Sequence, residues 1–68
     1  MEKWFLLYTT RSFAEASIIK GMLEENQVPV YIMNKQDSSY LNFGDIEIYV
    51  ANELKETAKH LLDKTLMN

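Results

Sequence analysis

Ile46-Glu47-Ile48-Tyr49-Val50 alternates branched aliphatic side chains with a carboxylate and a phenol. A period of two puts every second side chain on one face, so the stretch predicts a strand with one face buried and the other wet. It is the cleanest half-buried strand in the chain, and the rest of the fold arranges itself around it. Upstream, Val28, Val30 and Ile32 alternate with Pro29, Tyr31 and Met33. This predicts a second strand, whose early proline suits the edge of a sheet. Downstream, Asn52 is placed to cap a final helix in which Leu54, Ala58, Leu61, Leu62 and Thr65 share one face. Glu53 and Glu56 suit the positive N-terminal end of that helix.

The N-terminal half supplies the remaining elements. Trp4-Phe5-Leu6-Leu7-Tyr8-Thr9 is apolar or aromatic on both alternating faces, which reads as a strand near the middle of a fold. Ser12-Phe13-Ala14-Glu15 is a capping box: the Ser12 hydroxyl accepts from the Glu15 amide and the Glu15 carboxylate reaches back. A helix follows from Phe13 to about Glu25, with Ala16, Ile19, Met22 and Leu23 on one stripe. Asn26, tolerant of the left-handed conformation, ends it. The order β-α-β-β-α predicts an α+β fold, a ferredoxin-like unit lacking its last strand. Its three-stranded antiparallel sheet has the order 1-3-2, with two helices on one face. One edge of the first strand then lies open, so Trp4, Phe5, Leu6, Leu7 and Tyr8 form a candidate self-association edge.

Composition bounds what such a fold can do. Sixty-eight residues make a single domain, 1–68. Folding buries roughly 7,000 Å². With about 60% of that apolar, burial contributes on the order of 105 kcal/mol at ~25 cal/mol per Å². Ordering the chain costs about 100 kcal/mol at ~1.5 kcal/mol per residue. The core suffices, narrowly. Cysteine is absent, which excludes disulfide stapling, thiolate-bound zinc and cysteine catalysis. Seven basic against ten acidic residues leave a net charge of −3, which argues against DNA and duplex RNA as partners. No signal peptide is visible, and the longest apolar run, Trp4 to Tyr8, falls far short of the ~20 residues of a membrane span. The expected location is the cytoplasm.

Among candidate sites, the connection 34–44 is long for a hairpin, which most often takes two to five residues. Asn34, Lys35, Gln36, Asp37, Ser38, Ser39 and Tyr40 lie close together there and form a candidate ligand- or partner-binding surface. The structural alternative has Asp37 and Ser38 bonding their own backbone in turns while Tyr40 and Phe43 pack beneath. Trp4, Tyr8, Tyr31, Met33 and Tyr49 share the sheet face away from the helices if Phe5 and Leu7 face inward. Gly21, in mid-helix, costs about 1 kcal/mol against alanine and suggests a close approach or simple tolerance. His60, the one histidine, points away from the apolar stripe of the last helix, where Glu56 offers a surface pair. There is no metal-ligand set, no phosphate-cradling glycine run and no nucleophile–base pair. The expectation is no enzyme, no cofactor and no metal.

Tyr8-Thr9-Thr10, Glu15-Ala16-Ser17-Ile18-Ile19-Lys20-Gly21-Met22-Leu23-Glu24, Val28-Pro29-Val30 and Asn34-Lys35-Gln36-Asp37-Ser38-Ser39-Tyr40 together resemble a small bacterial family of unknown function, catalogued as putative prokaryotic signal-transducing proteins. The resemblance runs from Trp4 to about Leu62. It implies a ferredoxin-like fold related to that of the nitrogen-regulatory PII proteins, and a regulatory role. Many members have glycine after Asn26 where this chain has Gln27, so Asn26 alone is expected to carry the turn. The resulting functional expectation is a non-enzymatic regulatory or protein-interaction domain, with a protein partner or a homodimer formed through the first strand. One alternative is a small-molecule sensor whose loop 34–44 closes over a ligand against Lys35 and Tyr40. The remote alternative is single-stranded RNA stacking on the aromatic sheet face.

Overall fold

A computed structural model describes residues 3–35 and 44–66. The chain folds as β1 (Trp4–Thr10), α1 (Phe13–Glu25), β2 (Val30–Asn34), β3 (Ile46–Ala51) and α2 (Lys55–Leu66), with one 3₁₀ turn, Asn52–Leu54, leading into α2. The period of two in β3 does what alternation predicts. Ile46, Ile48 and Val50 are fully enclosed, while Glu47 and Tyr49 are only half-buried. β3 is the centre of a three-stranded sheet of order β1-β3-β2, antiparallel to both neighbours. Its inner side chains join Ala16, Ile19 and Leu23 of α1, Val28, and Ala58 and Leu62 of α2 in one core. Both helices therefore cover the same sheet face, and the fold is α+β and ferredoxin-like.

β1 is not the central strand that its apolar run suggests. It lies at the sheet edge, and no residue along it is fully buried. Its register explains why both of its faces are apolar. Trp4, Phe5 and Leu6 stand opposite Ala51, Val50 and Tyr49, but the next partner of β3, Ile48, faces Tyr8. Leu7 is an extra residue, a β-bulge, and beyond it every side chain changes face. Tyr8 is thereby turned inward beside Leu7, and both pack against the core. The expected place of Tyr8 on the open face is overturned by this insertion.

Helix α1 begins as expected, with Ser12 Oγ accepting from the Glu15 amide at 3.1 Å. The second half of the capping box is replaced. The Ser12 amide donates to Thr10 Oγ1 at 3.0 Å, and the Thr10 hydroxyl in turn donates to Glu15 Oε1. The carboxylate reaches back through a relay instead of directly. At the other end, the Val28 amide donates to the Leu23 carbonyl and the Gln27 amide to the Glu24 carbonyl, at 3.0 and 3.1 Å. This pattern is a Schellman motif, closed by the apolar contact of Val28 with Leu23 in the core. The left-handed residue is Gln27, at φ 60°, and not Asn26, at φ −100°. Asn26 contributes differently, its side-chain amide donating to the Met22 carbonyl at 2.8 Å. Asn52 does not cap α2 either. It sits inside the 3₁₀ turn, whose start at Ala51 has no side-chain capping bond. Such a turn satisfies terminal backbone groups by tightening the chain.

Candidate functional site

The face of the sheet away from the helices is built by the outward positions of all three strands. Trp4 and Leu6 of β1, Tyr31 and Met33 of β2, and Glu47 and Tyr49 of β3 come together there through the registers Leu6–Tyr49–Tyr31 and Glu47–Met33. The rings form a row: Trp4 to Tyr31 is 5.9 Å between centroids and Tyr31 to Tyr49 is 6.1 Å, both tilted. These are ordinary aromatic-pair separations. Leu6, Tyr31 and Met33 remain 43%, 48% and 37% exposed. A shallow depression lies among Trp4, Tyr31, Met33 and Tyr49. Four of the five residues expected on this face are on it; Tyr8 is replaced by Leu6.

One polar chain crosses the same face. The Tyr49 hydroxyl donates to Glu47 Oε1 at 2.7 Å, and Lys35 Nζ lies 3.3 Å from Glu47 Oε2. The Tyr49 bond, aided by Lys35 and opposed by desolvation, holds the Glu47 carboxyl below its usual range. The same bond, together with desolvation and the Glu47 charge, pushes the Tyr49 phenol up. The pair therefore stays ionised on one side and protonated on the other. Lys35 is consequently committed to Glu47, and the aromatic row gains no surplus cation from it.

Of the proposed loop surface, Asn34 ends β2 opposite Ile46, and both Asn34 and Lys35 are exposed. The Lys35 amide donates to the Asp45 carbonyl at 3.0 Å, closing the base of the connection, and Arg11 Nε stands 3.6 Å from Asp45 Oδ1. Gln36, Asp37, Ser38, Ser39 and Tyr40 lie outside the described residues. His60 is exposed on α2, and Glu56 meets Lys59, at 3.9 Å. Among the described residues no group of His, Asp and Glu could hold a metal ion, and no helix is long and apolar enough to cross a membrane.

The proposed edge, Trp4 to Tyr8, is divided by its bulge. Trp4 and Leu6 face outward, while Phe5, Leu7 and Tyr8 face the helices. The Tyr8 hydroxyl points to Glu15 Oε2 at 3.4 Å, and burial, followed by the Glu15 charge, pushes its phenol up. At the other end of the strand, Lys55 and Lys59 of α2 place their ammonium groups 5.3 and 5.1 Å from the centre of the Phe5 ring. Their spacing of four is visible in the sequence and puts them on one helix flank. Which strand that flank overlies becomes apparent only in the folded chain.

The architecture is that of a small α+β domain with an edge strand beside an aromatic sheet face that neither helix covers. A family model described as putative prokaryotic signal transducing protein matches residues 4–65, and the chain belongs to that family. No curated protein and no solved structure matches it. Several residues that carry the family resemblance have structural work in this fold. Tyr8, Thr10 and Glu15 are joined by hydrogen bonds that lock the end of β1 to the start of α1.

Proposed function

We propose that this chain is a non-enzymatic interaction domain of a prokaryotic signalling system, acting in the cytoplasm by taking a partner's strand onto the open edge of β1. The observation that carries the reading is the asymmetry of the sheet. Among the described residues β3 is paired on both sides, whereas β1, seven residues long and largely apolar, is paired on one. An edge strand holds a row of backbone donors and acceptors that only another extended chain can satisfy in register. Leu6, left exposed beside that edge, adds apolar area to the contact. The family's description favours a regulatory task over a catalytic one.

The test is an assigned ¹⁵N spectrum of the chain, free and with its captured partner, together with the Leu6→Glu variant. The reading expects shifts along Trp4–Thr10 and slowed amide exchange there, with binding lost in Leu6→Glu. Shifts gathered at Asn34 and Lys35 on adding small metabolites would replace it with the sensor reading, and a raised melting temperature would accompany them. Salt-sensitive quenching of Trp4 by an oligoribonucleotide would replace it with RNA stacking on the aromatic row.

A further inference from the structure

We infer that the partner strand received by β1 is acidic, an extended segment in which carboxylates alternate with apolar side chains. This inference rests on the strand-addition reading above and specifies the chemistry of its partner. It starts from charge. The chain carries a net −3 and Arg11, just past the far end of β1, pairs with Asp45, yet the described lysines beside the start of β1 have little opposite charge. Lys55 forms no ion pair with any described residue, and Lys59 meets only Glu56, at the long distance of 3.9 Å. Both ammonium groups instead lie over the Phe5 ring, at the edge strand itself. Lys3, immediately before β1, is exposed and forms no ion pair with any described residue. The opposite edge of the sheet differs, since Lys35 beside β2 is compensated by Glu47 at 3.3 Å.

The geometry of strand addition converts that charge into a pattern. A strand laid along β1 sends alternate side chains to the two faces of the sheet. On the helix side they meet Phe5 and the flank of α2 carrying Lys55 and Lys59. On the other they meet Leu6, 43% exposed, and the Trp4 ring. Cross-strand neighbours interact directly, so carboxylates belong on the first side and apolar groups on the second. A second copy of the chain is a poor occupant. Its own β1, Trp-Phe-Leu-Leu-Tyr-Thr-Thr, contains no carboxylate to offer the lysines.

The probe is a peptide of about ten residues alternating Glu with Val, long enough to pair along β1. The control has Lys in place of each Glu. Each is titrated into the ¹⁵N-labelled chain at low and at physiological salt. The acidic peptide should shift Trp4–Thr10 and slow amide exchange there, at least about tenfold more tightly than the basic one, and should weaken with salt. In the K55E/K59E chain the preference should reverse, and in K55Q/K59Q it should shrink to the small part that Lys3 supplies. Lys59 is exposed, Lys55 is half-buried with its ammonium group over the Phe5 ring, and a glutamate at 55 suits the first turn of α2, so folding is retained. Equal binding of both peptides at β1, indifferent to Lys55 and Lys59, would overturn the acidic inference and leave strand addition standing. Concentration-dependent self-pairing at β1 that excludes both peptides would overturn it in favour of a second copy. The absence of any peptide shift or concentration dependence at β1 would remove the strand-addition reading and this inference with it.

Discussion

Ile48 and Tyr49 are neighbours in β3 and yet belong to different surfaces. Ile48 is fully enclosed between the sheet and the two helices, while Tyr49 stands half-buried on the helix-free face among Leu6, Tyr31 and Glu47. The helix-covered side is a packed core, so losing volume there leaves a cavity. The open side is a row of rings and one polar chain, where a lost side chain exposes neighbours already partly in water. Stability thus resides mainly on one face of the sheet, which leaves the other free to differ in its surface chemistry.

The comparison can be broken by two truncations. Ile48→Ala is expected to cost about 3–4 kcal/mol of unfolding free energy, a large share of what so small a domain has. Tyr49→Ala is expected to cost about 1 kcal/mol, the scale of cross-strand contacts. Urea denaturation of both variants measures the difference. Equal losses would mean that the aromatic row is a second core, and that the face is not available for recognition.

A smaller effect tests how the covered side is pinned at its rim. Thr10→Val removes both the acceptor of the Ser12 amide and the donor to Glu15, while keeping the shape of the side chain. A loss of about 1–2 kcal/mol is expected, because a terminal helix donor loses its partner. A melting temperature equal to wild type would show that water replaces the relay at no cost. The core and the strand–helix junction would then be energetically separate.

What was legible in the sequence follows the same division. Ile46, Ile48 and Val50 announce their face because Glu47 and Tyr49 interrupt them, and the capping serine of α1 is readable from its spacing to Glu15. The strand order and the open edge of β1 follow from the order of elements. The bulge at Leu7 is not readable. Trp4 to Tyr8 is apolar at every position, so no polar residue marks where the alternation slips, and strict alternation from Phe5 and Leu7 puts Tyr8 on the face opposite to the one it occupies. The left-handed residue after α1 lies one position beyond the one its residue type suggests, for a related reason. Asn26 tolerates positive φ, whereas Gln27, which adopts it, does not advertise the fact. Lys55 and Lys59 become a feature only because α2 lies over Phe5, a contact between elements that local spacing does not reveal.

Two substitutions on the covered side should stabilise the chain. Gln27→Gly relieves a left-handed side chain at the residue following the α1 cap, worth about 1 kcal/mol. Gly21→Ala should gain about 0.5–1 kcal/mol, since a Cβ there meets nothing within 4 Å and the helix interior favours alanine. Gly21 is thus a tolerated glycine within this chain and not a close contact. Combined in one protein the two gains should add, because one acts inside α1 and the other at the turn beyond its cap, through separate mechanisms. A Gly21→Ala chain that folds as stably as wild type but no longer captures its partner would instead mark that flank of α1 as a contact surface.

The smallest effect belongs to the open face and is a matter of pH. The Glu47 carboxyl is held below its ordinary value of 4.5, first by the Tyr49 hydroxyl and then by Lys35. A depressed carboxyl stabilises the fold above the ordinary value, and that contribution is lost as pH falls through the lowered one. Glu47→Gln should therefore flatten the acid limb of stability against pH, and salt should shrink the difference, because the Lys35–Glu47 pair is partly exposed. The partner of the bond carries the opposite sign. The Tyr49 phenol is raised above 10.0, so its contribution is intact below that value and is lost as pH rises through the raised one. One hydrogen bond thus shapes both limbs, and Tyr49→Phe should alter both while Glu47→Gln retains an amide acceptor for the phenol. Identical acid limbs in wild type and Glu47→Gln would mean that the Tyr49–Glu47–Lys35 chain confers no pH dependence. The open face would then be distinguished from the covered one by its aromatic row alone.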